Sequence, residues 1–129
     1  MTTALITHPA FLRHDTGEGH PERSDRMRAI DRALQDSSFS ALTRREAPLR
    51  TDDEVYITLT HRKDYVHNVS QLTEQVSEGY RHIDSDTVVS PGTWEAARRA
   101  VGAGLDAVDL VVGRQASNAF CQVRPPGHH

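Results

Sequence analysis

The chain has 129 residues, a net charge of −3 and a hydrophobic fraction of 36%, which together predict one domain with a modest core. Charges of both signs are interspersed and no dense basic patch results, so the composition argues against a direct nucleic-acid partner. The single cysteine, Cys121, excludes an internal disulfide and predicts a reducing cytoplasm. No apolar run approaches the roughly 20 residues that a membrane helix needs, so no membrane partner is expected.

The first part of the chain predicts two strands and one amphipathic helix. An apolar run at positions 4–7 predicts a buried first strand, and a polar loop is expected over 8–19. Pro21 suits the first turn of a helix, so a helix is expected over 21–36, with a short second strand within 42–49. The apolar residues at helical spacing in this helix are Met27, Ile30, Ala33 and Leu34.

The rest of the chain predicts helices that lead to a final strand. A capping-box pattern predicts a short helix over 51–59, and another helix is expected over 62–79. A Ser-Pro pair predicts the start of a long helix over 91–112, and an apolar strand follows at 119–123, with Cys121 as a small core residue. This order predicts a parallel sheet with crossover helices. The apolar faces expected for the last two helices consist of Tyr65, Val69, Leu72 and Val76, and of Ala97, Val101, Leu105 and Val108.

The most informative motif is Arg-Pro-Pro-Gly-His-His at positions 124–129. Two prolines restrict the backbone and Gly127 then permits a turn, so the motif presents two imidazoles directly after a strand. A loop at the end of a strand is where α/β proteins place their active sites. Histidine titrates near neutral pH, so His128 and His129 are candidates for proton transfer or for metal binding. The stump of an expression tag is the competing interpretation, although tags are longer runs.

Three other segments carry weaker signals. The segment 19–26 brings His20, Arg23 and Arg26 to a loop-to-helix junction, where helix capping and a surface charge cluster are the ordinary explanation. The acidic segment 84–87 has the composition of a turn, although it also has the groups to bind a metal or a cation. His61 is expected to cap or pack against the helix that follows it.

Taken in order, several segments resemble the zinc-dependent histone deacetylase superfamily, which includes acetoin-utilisation proteins and acetylpolyamine amidohydrolases. They are positions 19–26, 60–65, 86–97, 118–120 and 124–129. The Arg-Pro-Pro-Gly form of the last segment is similar to the class II type. The resemblance implies a three-layer αβα sandwich with a central parallel sheet. It also implies that positions 1–129 are the N-terminal part of a single catalytic domain.

The resemblance implies hydrolysis of acetyl-amides by a metal-activated water, and it assigns roles to individual residues. His129 would be the general base and then the acid for the leaving amine, and His128 its electrostatic partner. Arg26 would line an internal channel behind the site, and Asp86 would hold the substrate at the rim. The wall near the catalytic water would be formed by Pro126 and Gly127.

The resemblance implies zinc as the cofactor, but only in the complete domain. The zinc ligands of this family, and its oxyanion-stabilising tyrosine, are expected C-terminal to His129. We therefore assign no metal ligand within the chain, and Asp84, Asp86 and His61 are not candidates to replace the missing ones.

Three functions remain open on the sequence. The substrate is an acetylated lysine peptide or, alternatively, an acetylated polyamine. A third possibility is a non-catalytic binding module, because an incomplete parallel sheet would leave a strand edge open to a partner.

Overall fold

The computed structural model describes residues 2–127, which form five strands and four α-helices. The strands are β1 (Thr3–Thr7), β2 (Thr43–Glu46), β3 (Arg81–His82), β4 (Val88–Val89) and β5 (Asn118–Cys121). The helices are α1 (Ser24–Ala33), α2 (Asp53–Ile57), α3 (Lys63–Glu74) and α4 (Thr93–Val112). No helix within this range has the length and apolar character to cross a membrane.

β1 is the central strand of a parallel sheet with the order β2-β1-β5. Its Ala4 pairs with Thr43 of β2 on one side and with Ala119 of β5 on the other. Ala4, Leu5 and Ile6 are all buried, because successive side chains of a central strand point to opposite covered faces. The parallel α/β arrangement expected from the sequence is thus confirmed, while β3 and β4 form a separate antiparallel hairpin.

The core is formed largely by β1, α4 and the segment that follows β1. α4 contributes Ala96, Ala103 and Leu110, which recur every seven residues and are buried. The face predicted for this helix was wrong at Val108, which is 59% exposed. Small side chains form the buried face because α4 packs closely against the segment that follows β2. In this contact Gly102 lies against the backbone oxygen of Pro48.

The predicted polar loop after β1 contains a 3-10 helix, Pro9–Arg13. His8 begins it, since His8 Nδ1 accepts a hydrogen bond from the Ala10 backbone N–H at 3.0 Å. Phe11 in this segment is fully buried in the core, so the segment is a packed element.

α1 begins at Ser24, three residues later than predicted from Pro21. The intervening backbone is held outside the helix, because the Glu22 N–H donates to His20 Nδ1 at 3.0 Å and Arg23 is extended. The apolar face is also narrower than predicted, since Met27 is buried and Ala33 is exposed.

Three other helix starts or faces differ from the prediction. α2 has no side-chain cap, because the carboxylate of Asp52 is bonded to the Arg50 guanidinium at 2.9 and 2.8 Å. α3 ends at Glu74, and Tyr65 of its predicted face is 53% exposed. α4 begins at Thr93 and not at Pro91, because Pro91 and Gly92 form a turn in which the Thr93 N–H donates to the Ser90 backbone oxygen at 3.0 Å.

Candidate functional site

The loop 122–127 leaves the sheet at the carboxyl end of β5, beside the carboxyl end of β1. In parallel α/β sheets this edge is where functional loops lie. Two predicted site residues, Pro126 and Gly127, are exposed in this loop. The predicted proton-transfer residues, His128 and His129, lie outside the described residues.

Arg124 anchors the loop and is fully buried. Its guanidinium forms a bidentate pair with Glu22, with Nε–Oε1 at 2.6 Å and Nη2–Oε2 at 2.8 Å. Its Nη1 also donates to the backbone oxygens of Phe11 and His14 at 2.8 and 2.9 Å, and to Ser24 Oγ at 2.9 Å. We call Arg124, Glu22, His14 and Ser24 the Arg124 cluster. These bonds offset the cost of removing a guanidinium from water.

Glu22 is the acidic centre of this cluster. Its carboxylate accepts from Arg124 and from Arg26 Nη1 at 3.2 Å, and it lies 3.7 Å from His14 Nε2. Burial acts to raise the pKa of Glu22, but the hydrogen bonds and charge of Arg124, with His14 and Arg26, outweigh burial and lower this pKa. Glu22 therefore stays ionised at neutral pH.

His14 is a buried neutral imidazole. Burial, followed by the charge of Arg124, lowers the pKa of His14 to about 4. His14 Nδ1 lies 2.8 Å from Thr93 Oγ1, which already accepts the Ser90 N–H. Thr93 Oγ1 also lies 3.2 Å from Ser90 Oγ, and His14 Nε2 faces the Glu22 carboxylate on the other side of the ring.

The structure brings Arg26 to the Arg124 cluster through Glu22. The Arg26 side chain is 52% exposed, and its Nη1 binds Glu22 Oε1, the same oxygen that accepts from Nε of the buried Arg124. Arg26 was predicted to line an internal channel, and its role in a channel stays a prediction.

Asp86 lies on the turn between β3 and β4 and is exposed. Its backbone oxygen lies 3.1 Å from His20 Nε2. Because His20 Nδ1 accepts the Glu22 N–H, Nε2 carries the proton and donates to Asp86. His20 thus connects the predicted rim residue to the segment that contains Glu22. The role of Asp86 at a rim stays a prediction.

No individual role was predicted from the sequence for the side chains of Arg124, Glu22 or His14. The sequence context of Arg124 indicates that its side chain is buried, because Arg124 lies between Val123 and Pro125, directly after an apolar strand. A buried cation requires a carboxylate partner. Only the tertiary structure identifies that partner as Glu22.

Within residues 2–127, no group of three or more His, Cys, Asp or Glu side chains is arranged to hold a metal ion. The zinc ligands that the resemblance implies are expected C-terminal to His129, outside the described residues. The carboxylate of Asp84 accepts the backbone N–H groups of Asp86 and Thr87 at 2.9 and 2.7 Å, as expected for a turn. His61 stacks on Tyr65 with ring centroids 5.5 Å apart.

The family model described as the histone deacetylase domain matches residues 20–129, which include Glu22, Arg26, Asp86 and Arg124. The chain belongs to the histone deacetylase family. This confirms the resemblance that the motifs indicated.

Two curated relatives of this histone deacetylase family member illustrate the similarity. An uncharacterized protein of Synechocystis sp. is 37% identical over 128 residues, which cover 98% of this chain and 41% of that protein. The polyamine deacetylase HDAC10 of Homo sapiens is 33% identical over 137 residues, which cover all of this chain and 20% of that protein. The chain therefore spans less than half the length of these relatives.

The crystal structure of the HDA15 HD domain has the same fold over the length of this chain. The two structures superpose with a TM-score of 0.85 at 32% identity, covering 99% of this chain and 36% of the other. The deacetylase-like α/β fold expected for this family member is confirmed for the part of the domain that the chain represents.

Proposed function

We propose that the protein hydrolyses acetyl-amide bonds and that this chain is the N-terminal part of one deacetylase catalytic domain. The observation that carries the proposal is the family match, which extends over residues 20–129 and so includes the tandem histidines. The single cysteine supports a reducing compartment, and we place the activity in the cytoplasm.

In the proposed reaction a water attacks the acetyl carbonyl carbon, so that a C–O bond forms as the C–N bond breaks. His129 takes the proton of the water and then delivers a proton to the leaving amine, which leaves acetate and the free amine as products. His128 stabilises the charge that His129 acquires. Pro126 and Gly127 form the wall beside the water.

Zinc is the cofactor that the family resemblance implies. Its ligands are expected C-terminal to His129, and we derive no step through the metal from the residues of this chain. The contribution of the chain is to position the proton-transfer groups and the substrate.

Two substrate classes suit the site. An acetylated lysine peptide and an acetylated polyamine both carry an acetyl-amide on a flexible alkyl chain, and the exposed carboxylate of Asp86 is compatible with a cationic group elsewhere on either molecule. The human relative named a polyamine deacetylase favours the second class as an alternative. The ratio of kcat/KM on an acetyl-lysine peptide to that on acetylputrescine distinguishes the two.

The decisive experiment replaces His129 in the protein expressed from its complete coding sequence. His129→Ala is expected to lower kcat at least about a hundredfold, the low end for a general acid–base group. His67→Ala, which removes an exposed histidine of α3, is the matched control and is expected to keep full activity. Normal turnover by His129→Ala would refute the assigned role. A folded wild-type protein that hydrolyses neither substrate would favour the non-catalytic binding module.

A further inference from the structure

The Arg124 cluster joins segments that are far apart in sequence. Arg124 follows β5, Glu22 precedes α1, Ser24 begins α1, and the oxygens of Phe11 and His14 come from the segment after β1. The Arg124 side chain thus makes five hydrogen-bond contacts with these segments, and they anchor the 122–127 loop. Such a set fixes the position and the orientation of Arg124.

The backbone after Arg124 is restricted, so the position of Arg124 also constrains the position of the residues that follow it. Pro125 and Pro126 each have a φ fixed by their ring, so rotation is restricted over the two residues that follow the anchor. The first freely rotating residue is Gly127. The predicted proton-transfer residues come next in the chain.

Stability alone does not explain a charged pair at this position. A buried ion pair often contributes no more than apolar residues of the same volume, because both groups lose their hydration. An ion pair of this type differs from apolar packing because it fixes the relative orientation of the two side chains. A guanidinium and a carboxylate bind through two parallel hydrogen bonds in one plane. An apolar residue at Arg124 would fill space but leave the loop start free to shift.

We propose that the Arg124–Glu22 pair is a positioning device that places His128 and His129 for the proposed hydrolysis. Arg124 and Glu22 act through the loop, so they are positioning residues and not catalytic ones. The inference rests on the proposed function. A displacement of about 1 Å at a catalytic group lowers a rate by on the order of a hundredfold, so a modest shift of the loop start has a large effect.

The test compares three single variants of the protein expressed from its complete coding sequence. Glu22→Gln removes the charge and keeps the shape, and Arg124→Lys keeps the charge and removes the two parallel bonds. Both are expected to lower kcat about 10- to 100-fold, with KM changed less than about threefold, because the substrate contacts remain. Ser24→Ala removes one bond to Arg124 and is expected to lower kcat about two- to fivefold.

A matched control separates positioning from general stability. Arg98 and Asp53 form another partly buried pair, with Nε–Oδ2 at 2.6 Å, and Arg98 also donates to the Arg50 backbone oxygen and not to the 122–127 loop. Asp53→Asn is expected to lower the unfolding midpoint while leaving kcat unchanged at a temperature where circular dichroism shows a fully folded protein. A positioning role also predicts that the Glu22→Gln/Arg124→Lys double variant has a kcat close to that of the worse single variant.

The outcomes discriminate between the inference and the proposed function. If His129→Ala loses activity while folded Glu22→Gln and Arg124→Lys keep wild-type kcat, the positioning role is wrong and the proposed function stands. If Glu22→Gln and Arg124→Lys prevent folding, the test rests on Ser24→Ala. An unchanged kcat in Ser24→Ala then refutes the positioning role, and a reduced kcat supports it. Equal effects of Asp53→Asn and Glu22→Gln on kcat would also refute it. A wild-type protein with no hydrolytic activity would refute both proposals.

Discussion

Glu22 and Arg124 are 102 residues apart in the chain and form a bidentate ion pair with N–O distances of 2.6 and 2.8 Å. The pair connects two segments that the sequence motifs had indicated separately, 19–26 and 124–129. Arg124 is fully buried, and Glu22 also binds the half-exposed Arg26. Both motifs are therefore parts of one structural unit at the edge of the sheet, where the functional loop begins.

Glu22→Ala is expected to destabilise the protein by about 3 kcal/mol, because it leaves the buried guanidinium of Arg124 without a counter-charge. The unfolding free energy from urea titrations measures the change. Asp25→Ala is the control, since it removes an exposed carboxylate paired with Arg28 at 2.8 Å, and less than about 1 kcal/mol is expected. Equal losses in the two variants would contradict the structural importance of the buried pair.

The protein is expected to lose stability as the pH falls from 7 to 5, in part because of His14. In the folded protein the pKa of His14 is about 4, whereas in the unfolded chain it is about 6.5, so the unfolded chain binds the proton first. Protonation then favours unfolding, by about 2 kcal/mol at pH 5 relative to pH 7. Glu22, whose pKa is lowered, stays ionised in this range.

His14→Gln is expected to remove that part of the pH dependence. Urea titrations of both proteins at pH 7, 6 and 5 measure it, and the difference between their slopes isolates the contribution of His14 from that of other groups. Parallel slopes would show that His14 takes up its proton equally in the folded and unfolded protein, contrary to its burial against Arg124.

Gly102→Ala and Gly104→Ala are expected to have opposite effects, although both lie in α4. A Cβ at position 102 would collide with the backbone oxygen of Pro48, and such overpacking costs about 1–3 kcal/mol. A Cβ at position 104 would meet no atom within 4 Å, so the better helix propensity of alanine is expected to add up to about 1 kcal/mol. Thermal melts of the two variants test this. Stabilisation by Gly102→Ala would contradict the close packing of α4 on the segment after β2.

Asp86→Ala is expected to raise KM for a cationic acetylated substrate about two- to fivefold while leaving kcat unchanged. The carboxylate is exposed, so an ion pair there contributes little and acts on binding and not on the chemical step. Steady-state kinetics with acetylputrescine provide the measurement, and Asp25→Ala again controls for the lost charge. A fall in kcat with unchanged KM would exclude the rim role.

Local patterns in the sequence predicted the central features of the fold. The apolar run at β1 and the long amphipathic α4 were both predicted, because burial on both faces and helical periodicity are visible in a single segment. The ends of elements were less accurate, as at α1 and α2, where the side chains of His20 and Asp52 have other partners. A helix start depends on which partner a polar group finds, and that partner can be distant in sequence.

The sequence by itself determined the family, the parallel α/β class and the segments that form the candidate site, because motifs and periodicity are local properties of the chain. Only the tertiary structure decided that Arg124 is buried, that Glu22 neutralises it, and that His14 is held neutral beside them. Each of those facts depends on desolvation and on distances between segments about 100 residues apart. Such properties exist only once the sheet and α4 have brought those segments together.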